Sequence, residues 1–361
     1  MRPLVSIIVN NYNYGPFLSQ SIRSALDQTY ERMEVAVVDD GSSDNSRQVI
    51  AGFGSRIIPV LKENGGQASA FNAGFEACHG DIVLFLDSDD YLAADAIERV
   101  VFAWTPRTGK VQFRLALVDD AGHPLGLDCP DPKQRLPMGD VLTLILRDNH
   151  YPSPPSSGNA YPRAMLESVL PVPEAEYTLG ADGYLIALAP FYGDITSISA
   201  TLGFYRIHGR NVSRSDYKGA RMFSDFIRLK LKLEELVRTE AQKRGLKTPS
   251  GSYLTTPEGI LLRLASLKCA PEKHPVSGDR ALKLGFQAAL GVWKEKDERK
   301  GVRRIAWFVG FLLLPFMPAR LVGTAAFWIF APETRPSFFR HSLPILGPLQ
   351  ATGRSPGYKE N

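Results

Sequence analysis

Over the first hundred residues, short apolar runs alternate with stretches of helical spacing. Residues 4–9, Leu-Val-Ser-Ile-Ile-Val, are a β-branched run that predicts a buried strand, and Asn10 to Pro16 reads as a turn. Phe17, Leu18, Ile22, Ala25 and Leu26 then share one side of a helix over 17–28. Further strands are predicted at 34–38, 56–61 and 82–86. Helices are predicted from an Asp44 cap through Ile50, and from the Gly65-Gly66 turn over 67–78. This alternation continues to about residue 105 and is the pattern of a parallel sheet with helices on its faces.

The rhythm then changes. Val111 to Val118 predicts a hairpin strand turning through Asp119 to Gly122, and 128–138 and 152–158 are Pro-rich loops. Helices are predicted at 162–168 and 181–189, and a strand pair or extended segment at 195–207. From about 216 the chain reads as helical. Phe223, Phe226, Leu229, Leu233, Leu236 and Val237 form an apolar stripe, and Thr256-Pro257 opens a helix to Lys268. Asp279 is the predicted cap of another helix, with Leu282, Phe286, Ala289 and Trp293 on one face.

Residues 294–304 carry six Lys/Arg against three Asp/Glu, while 305–319 and 321–332 are uncharged. Each uncharged run falls short of the ~20 apolar residues that span a bilayer. Pro315 and Pro318 would interrupt one continuous helix. Two short apolar helices with Trp307, Trp328 and a basic approach predict an in-plane or re-entrant membrane anchor. A buried helical hairpin or a dimer interface is the rival reading.

Composition narrows the classes little. With 361 residues, 44% of them hydrophobic, the chain has room for one large or two medium domains. A formal charge of +4, with no basic run interleaved with aromatics, gives no case for nucleic acid. Cys78, Cys129 and Cys269 are widely spaced and form neither a disulfide framework nor a zinc pattern. The N-terminus enters a strand without a basic leader, so the catalytic part is expected on the cytoplasmic side.

The chemistry concentrates at three predicted strand ends. Asn10 to Tyr12 follows the first, Asp39-Asp40 the second, and Asp87-Ser88-Asp89 the strand at 82–86. In a doubly wound sheet these converge on one edge, where ligands bind. An aromatic with an acid suits a base, and acids two apart on a loop suit a hard divalent cation on phosphates. Together they point to a nucleoside diphosphate.

Ser6 to Asn13, Val37-Val-Asp-Asp-Gly-Ser-Ser-Asp44, Glu63-Asn-Gly-Gly66, Asn72-Ala-Gly74 and Phe85-Leu-Asp-Ser-Asp-Asp90 resemble, in order and spacing, the signature of family 2 glycosyltransferases. Tyr205-Arg-Ile-His-Gly-Arg-Asn-Val-Ser213 resembles a further segment many of them carry. The resemblance implies a GT-A type, Rossmann-like, mostly parallel sheet flanked by helices, here followed by a C-terminal α-helical extension. It implies an inverting transfer from a nucleotide sugar to a glycan or lipid-linked acceptor in cell-surface polysaccharide synthesis, assisted by Mg²⁺ or Mn²⁺.

Residue by residue, the resemblance implies that Tyr12 and Asp40 contact the base, with Asp39 in support, and that Asn10, Asn72, Asp87 and Ser88 serve the donor. Asp89 would hold the metal, with Asp87 and His208 as further candidates. Asp182 would be the general base, and Gly158 and Asn159 would line the acceptor side. Two positions depart from the family pattern: Phe71 stands where many members have Arg, and the acceptor-side Glu-Asp pair is Ala181-Asp182. The rival functions are a degenerate sugar-nucleotide-binding scaffold, a phosphatase using Asp87 and Asp89, and a nucleotidyltransferase on a related fold. The expected division is a transferase domain over 1–215, a helical appendage over 216–300, membrane-associated helices over 301–335 and a tail over 336–361. The expected location is the cytoplasmic face of a membrane.

Overall fold

Four β-branched runs become the parallel core of a sheet: β1 (Val5–Asn11), β2 (Met33–Asp40), β3 (Ile58–Lys62) and β4 (Ile82–Asp87). In the computed structural model, which describes residues 2–132, 134–208, 221–294 and 302–330, Ile7, Ile8 and Val9 are all fully buried. A strand covered on both faces has no need of polar alternation, which is why the sequence is apolar throughout. Helices α1 (Gly15–Leu26), α2 (Ser46–Ala51), α3 (Gln67–Glu76) and α4 (Ala96–Phe102) follow these strands or the short β5 (Tyr91–Leu92). Phe71 of α3 stacks on Phe85 of β4 with ring centroids 4.1 Å apart. Phe71, one of the two departures from the expected pattern, is therefore a core contact here.

The second half of the sheet is mixed. β6 (Thr108–Val118) and β7 (Pro124–Cys129) form the predicted hairpin, and β8 (Asn159–Pro162) and β9 (Asp194–Arg206) complete the order β3-β2-β1-β4-β8-β6-β9-β5, with β7 beside β6. β6 runs parallel to β9 and antiparallel to β8. The segment 195–207 is thus one long strand, and β8 begins where the sequence reads only as loop. Helices α5 (Leu142–Asp148), α6 (Arg163–Val169) and α7 (Ala181–Leu188) fill the connections.

The chain divides into two compact units. The first comprises the sheet, through Ile145 together with Ser153–His208; the second takes Leu146–Pro152 with the described chain from Arg221 on. The second unit is helical: α8 (Arg221–Lys243), α9 (Pro257–Cys269), α10 (Ala281–Lys294), α11 (Val302–Leu313) and α12 (Ala319–Phe330). Leu261 and Leu264 of α9 share one core with Phe223, Ala288, Phe311 and Val322. Within the expected 301–335 segment, the described helices α11 and α12 contribute to the same core as the helices before them. No described helix is long and apolar enough to cross a membrane. The turn at Pro315 is held by Lys268, whose ammonium donates to the carbonyls of Pro315 (2.7 Å) and Met317. The tail over 336–361 lies outside the described residues.

Two local expectations change. Thr256 caps α9 as read, accepting from Gly259 N–H. Asp279 does not cap α10: its carboxylate is held by Arg263 (2.5 and 2.9 Å) and His274 (3.0 Å). On α10 the buried side is Leu284, Ala288, Ala289 and Val292, while Leu282 and Phe286 are exposed.

Candidate active site

The register of the sheet sets Asn10 directly beside Asp87, and Asn11 beside Asp39. Ser88 N–H donates to the Asn10 carbonyl at 3.1 Å. Both polar atoms of the Asn10 side chain and the Ser88 hydroxyl are buried without a hydrogen-bond partner. A buried unmatched polar group costs about 1–3 kcal/mol, so three such atoms at the strand edge mark a place suited to a polar ligand.

The acids that leave β4 have three different surroundings. Asp87 accepts a hydrogen bond from Ser156, and its own N–H donates to Ser157 Oγ at 3.2 Å. Asp90 points inward, where Ser157 Oγ (2.6 Å) and Arg206 N–H (3.0 Å) donate to it. Asp89 faces His208, with Oδ2 3.2 Å from Nε2. Burial, then the charges of Asp89 and Asp182, push the Asp87 carboxyl well above the ordinary carboxylate range. Burial with Asp89 and Asp87 does the same to Asp90.

The 205–208 segment closes this loop from behind. The fully buried Arg206 guanidinium donates to the carbonyls of Asp89 (3.0 Å) and Asp120 (2.7 Å) and to Gln20 Oε1 (2.6 Å). It also lies over the Phe17 ring at 4.9 Å. The His208 ring sits against Phe17 (4.6 Å) and Tyr14 (5.3 Å). Arg206 thus braces the backbone of the acidic turn, and His208 braces one carboxylate.

Asp182 lies in the first turn of α7, after Gly180 in the left-handed region (φ 83°). Gln67 Oε1 accepts from both Gly180 and Ala181 N–H at 3.0 Å, and its amide donates to Ser156 Oγ at 3.4 Å. Gln67 therefore ties the helix bearing Asp182 to the serine that serves Asp87. Asp182 acts electrostatically on Asp87 and also on Lys110. Lys110 is wholly buried on β6 and donates to Gln112 Oε1 (3.0 Å), Ser153 Oγ (2.7 Å) and Asn159 Oδ1 (2.8 Å). Burial lowers its pKa well below that of an ordinary lysine, and Asp182 opposes that shift.

Several expected site residues have other duties. Asp40 has both oxygens engaged, by Lys62 Nζ (2.7 Å), Asn64 Nδ2 (3.2 Å), Gly65 N–H (3.0 Å) and Gly66 N–H (2.8 Å). It shapes the loop entering α3. Asp39 is buried and accepts from Asn11 (3.0 Å), Ser42 N–H (3.2 Å) and Arg47 (2.9 Å). Asn72, expected on the donor side, is locked to the backbone of Val172 in both directions. Asn159 is buried with its amide on Pro154 and Pro155 carbonyls and its oxygen on Lys110. At Gly158 an added Cβ would lie 2.8 Å from the Phe113 carbonyl, so this glycine permits close packing. Gly158 and Asn159 are both buried. Tyr12, by contrast, is 47% exposed and offers a ring face.

The sequence offered little sign of Ser156, Ser157, Gln67 or Lys110, whose roles depend on contacts 67 to 114 positions away or on a buried polar strand face. Arg206 stood within a recognised motif, but without a role.

Among the described residues no group of three or more His, Cys, Asp or Glu is arranged to hold a metal ion. A hard divalent cation on a diphosphate needs only one or two carboxylates, because phosphate oxygens and water complete its shell. Asp87 and Asp89 supply these, and the negative charge that raises Asp87 is what a cation would relieve. The residues present fit Mg²⁺ or Mn²⁺.

A second array, Ser266, His274 and Asp279, has the hydrogen-bond order of a nucleophile triad, at 2.9 and 3.0 Å. Ser266 is fully buried and also bonded to Ser224, so the array is a packed polar lock of the helical unit.

A profile described as Glycosyl transferase family 2 matches residues 6–122. An uncharacterized glycosyltransferase of Nostoc sp. is 38% identical over 213 residues, covering 57% of this chain and 66% of that protein. Chondroitin synthase of Pasteurella multocida is 43% identical over 99 residues, 27% of this chain and 10% of that protein. The chain thus spans less than two thirds of the length of these relatives. Among solved structures, a mannosyltransferase from Pyrobaculum calidifontis in complex with GDP-Man and Mn²⁺ aligns with a TM-score of 0.49 and 19% identity. That alignment covers 88% of this chain and 86% of the other.

Proposed function

The chain belongs to glycosyl transferase family 2, and from that premise we propose that it moves a sugar, with inversion, from a nucleoside-diphosphate sugar to a hydroxyl of a glycan or lipid-linked acceptor in cell-surface polysaccharide synthesis. The observation that carries this reading is that Asp87, at the end of β4, lies within electrostatic reach of both Asp89 and Asp182, beside the unmatched Asn10 and Ser88.

Each side chain then has a task. Tyr12 stacks on the base, with Asp39 and Asp40 holding the loops on either side of it. Asn10 and Ser88 hydrogen-bond the donor. Asp87 and Asp89 would hold Mg²⁺ or Mn²⁺, which when bound supplies Lewis-acid stabilisation of the departing diphosphate. His208 orients Asp89. Asp182 takes the proton from the attacking acceptor hydroxyl, a contribution of about 10²–10⁴-fold for a placed base. The new glycosidic bond forms as the bond to the diphosphate oxygen breaks, and the proton ends on Asp182. Lys110 lies within electrostatic reach of Asp182.

A lipid-linked acceptor would bring the reaction to the cytoplasmic face of a membrane. We assign that association to the membrane surface; no described helix is long and apolar enough to cross a bilayer.

The test is a panel of nucleotide sugars incubated with the purified protein and Mn²⁺, scored for release of nucleoside diphosphate, then for transfer to glycolipid extracts. Asp182→Asn should abolish transfer and leave donor affinity within about twofold. Loss of donor binding in that variant would assign Asp182 a structural role instead.

A further inference from the structure

Fifteen large hydrophobic side chains are exposed among the described residues, and eight of them lie between Leu282 and Leu321. They are ordered, not scattered. Leu282, Phe286 and Leu290 recur every four residues on α10, and Ile305, Val309 and Leu313 do the same on α11. Spacing of four keeps side chains on one face of a helix. Gly285 lies against Pro315 and the Phe311 carbonyl, so α10 packs on the end of α11. Phe316, at the turn after α11, is 74% exposed. Single exposed apolar residues need no explanation, but two ordered stripes on neighbouring helices mark a surface that meets something.

The charge around the set selects what it meets. From Arg299 to Pro332 the sequence has five Lys/Arg and no acid. Arg280 and Lys283 flank Leu282 in the chain and Arg320 precedes Leu321, and all three are exposed. An apolar face with a cationic border matches the interface of an anionic bilayer, acyl chains below and phosphates above. Helices α11 and α12, of 12 residues each, are too short to cross one.

We propose that the exposed face of α10 and α11 lies in the plane of an anionic lipid leaflet, with Phe286, Leu290, Val309 and Leu313 entering the headgroup–acyl boundary. This rests on the surface association proposed above and not on the transfer chemistry. Phe316 enters the same boundary, and Lys283 and Arg320 meet the lipid phosphates.

The test is co-sedimentation of the full chain with vesicles of phosphatidylcholine and phosphatidylglycerol, about 7:3, against phosphatidylcholine alone. Binding should require the anionic lipid and weaken as salt rises. Phe286→Glu with Leu313→Glu should reduce the partition coefficient by about tenfold or more. Lys283→Gln with Arg320→Gln should reduce it by about fivefold or more. Circular dichroism and thermal melting should match the parent, since these side chains are exposed. Equal binding to both vesicle types, no binding, or binding unchanged in the Glu variant overturns the proposal. So does a dimer, seen by analytical ultracentrifugation, that the Glu variant dissolves, because the face would then belong to a second copy. Donor turnover measured on the same samples is independent of these outcomes, so failure here leaves the transferase reading standing.

Discussion

His208 Nε2 lies 3.2 Å from Asp89 Oδ2, and the two are 119 positions apart in the chain. The imidazole is itself clamped between Tyr14 and Phe17, so it orients the carboxylate as an outer partner orients a metal ligand. Such partners typically contribute about 10–100-fold to metal affinity. His208→Ala should raise the Mn²⁺ concentration for half-maximal donor turnover by that factor, while Asp89→Ala removes metal dependence together with activity. A titration of turnover against Mn²⁺ decides it, and an unchanged half-maximal concentration in His208→Ala would remove the metal-side role.

Gln67 connects the two halves of the site. Its Oε1 satisfies two backbone donors at the start of the helix that carries Asp182. Gln67→Leu leaves both N–H groups without that acceptor, at a cost of about 1–3 kcal/mol each if they stay buried. The turn bearing Asp182 should relax, and transfer should fall at least about tenfold, since small displacements of a catalytic group cost heavily. Donor affinity should hold. Isothermal titration with donor beside kcat measurement separates the two, and a loss confined to donor binding would contradict the assignment.

The helical unit should lose stability in acid through His150. Burial lowers the pKa of this imidazole below its ordinary 6.5, with smaller opposing help from the Asp148 carbonyl. The folded state therefore favours the neutral ring. Its contribution is fully present above pH 6.5 and declines as pH falls through 6.5 toward the lowered folded-state value. Urea unfolding across this range should show it, and His150→Gln should flatten the dependence. An equally steep profile in that variant would place the sensitivity elsewhere.

Asp279 holds Arg263 through two oxygens and His274 through one, with side-chain exposures of 7, 14 and 4%. Removing one partner of a buried pair leaves the other charge unmatched, at about 3–5 kcal/mol. Asp279→Ala should therefore lower the unfolding free energy of the helical unit by that amount. Asp279→Asn, which keeps one acceptor oxygen, should lose less. If both variants melt with the parent, the network contributes no stability.

How far the sequence could be read depended on whether the relevant contacts were local. The runs at 4–9, 34–38 and 82–86 were legible because strands buried on both faces must be apolar throughout. β6 shows the opposite case. Lys110, Gln112 and Arg114 alternate with Val111, Phe113 and Leu115, which by itself reads as one wet face and one dry face. In the structure all six are buried. Gln112 and Arg114 bond to the 130–137 segment, and Lys110 to Ser153 and Asn159. A loop that returns to cover a polar strand face leaves no periodic trace. The face of α10 was misread for a related reason: spacing shows that Leu282 and Phe286 share a side, but only the neighbours of Gly285 and Ala288 decide which side is covered.

The opening alternation, the acids at three strand ends and the placement of Asp182 beside an apolar helix were determined by the sequence alone, because each depends on residue type and short-range spacing. Tertiary structure alone decided which acids stay available. Asp40 is taken up by the loop at 64–66, and Asn72 and Asn159 by distant backbone, while Asp87, Asp89 and Asp182 are drawn together. A carboxylate's role depends on which donors and charges lie within a few ångströms of it, and chain topology sets those neighbours.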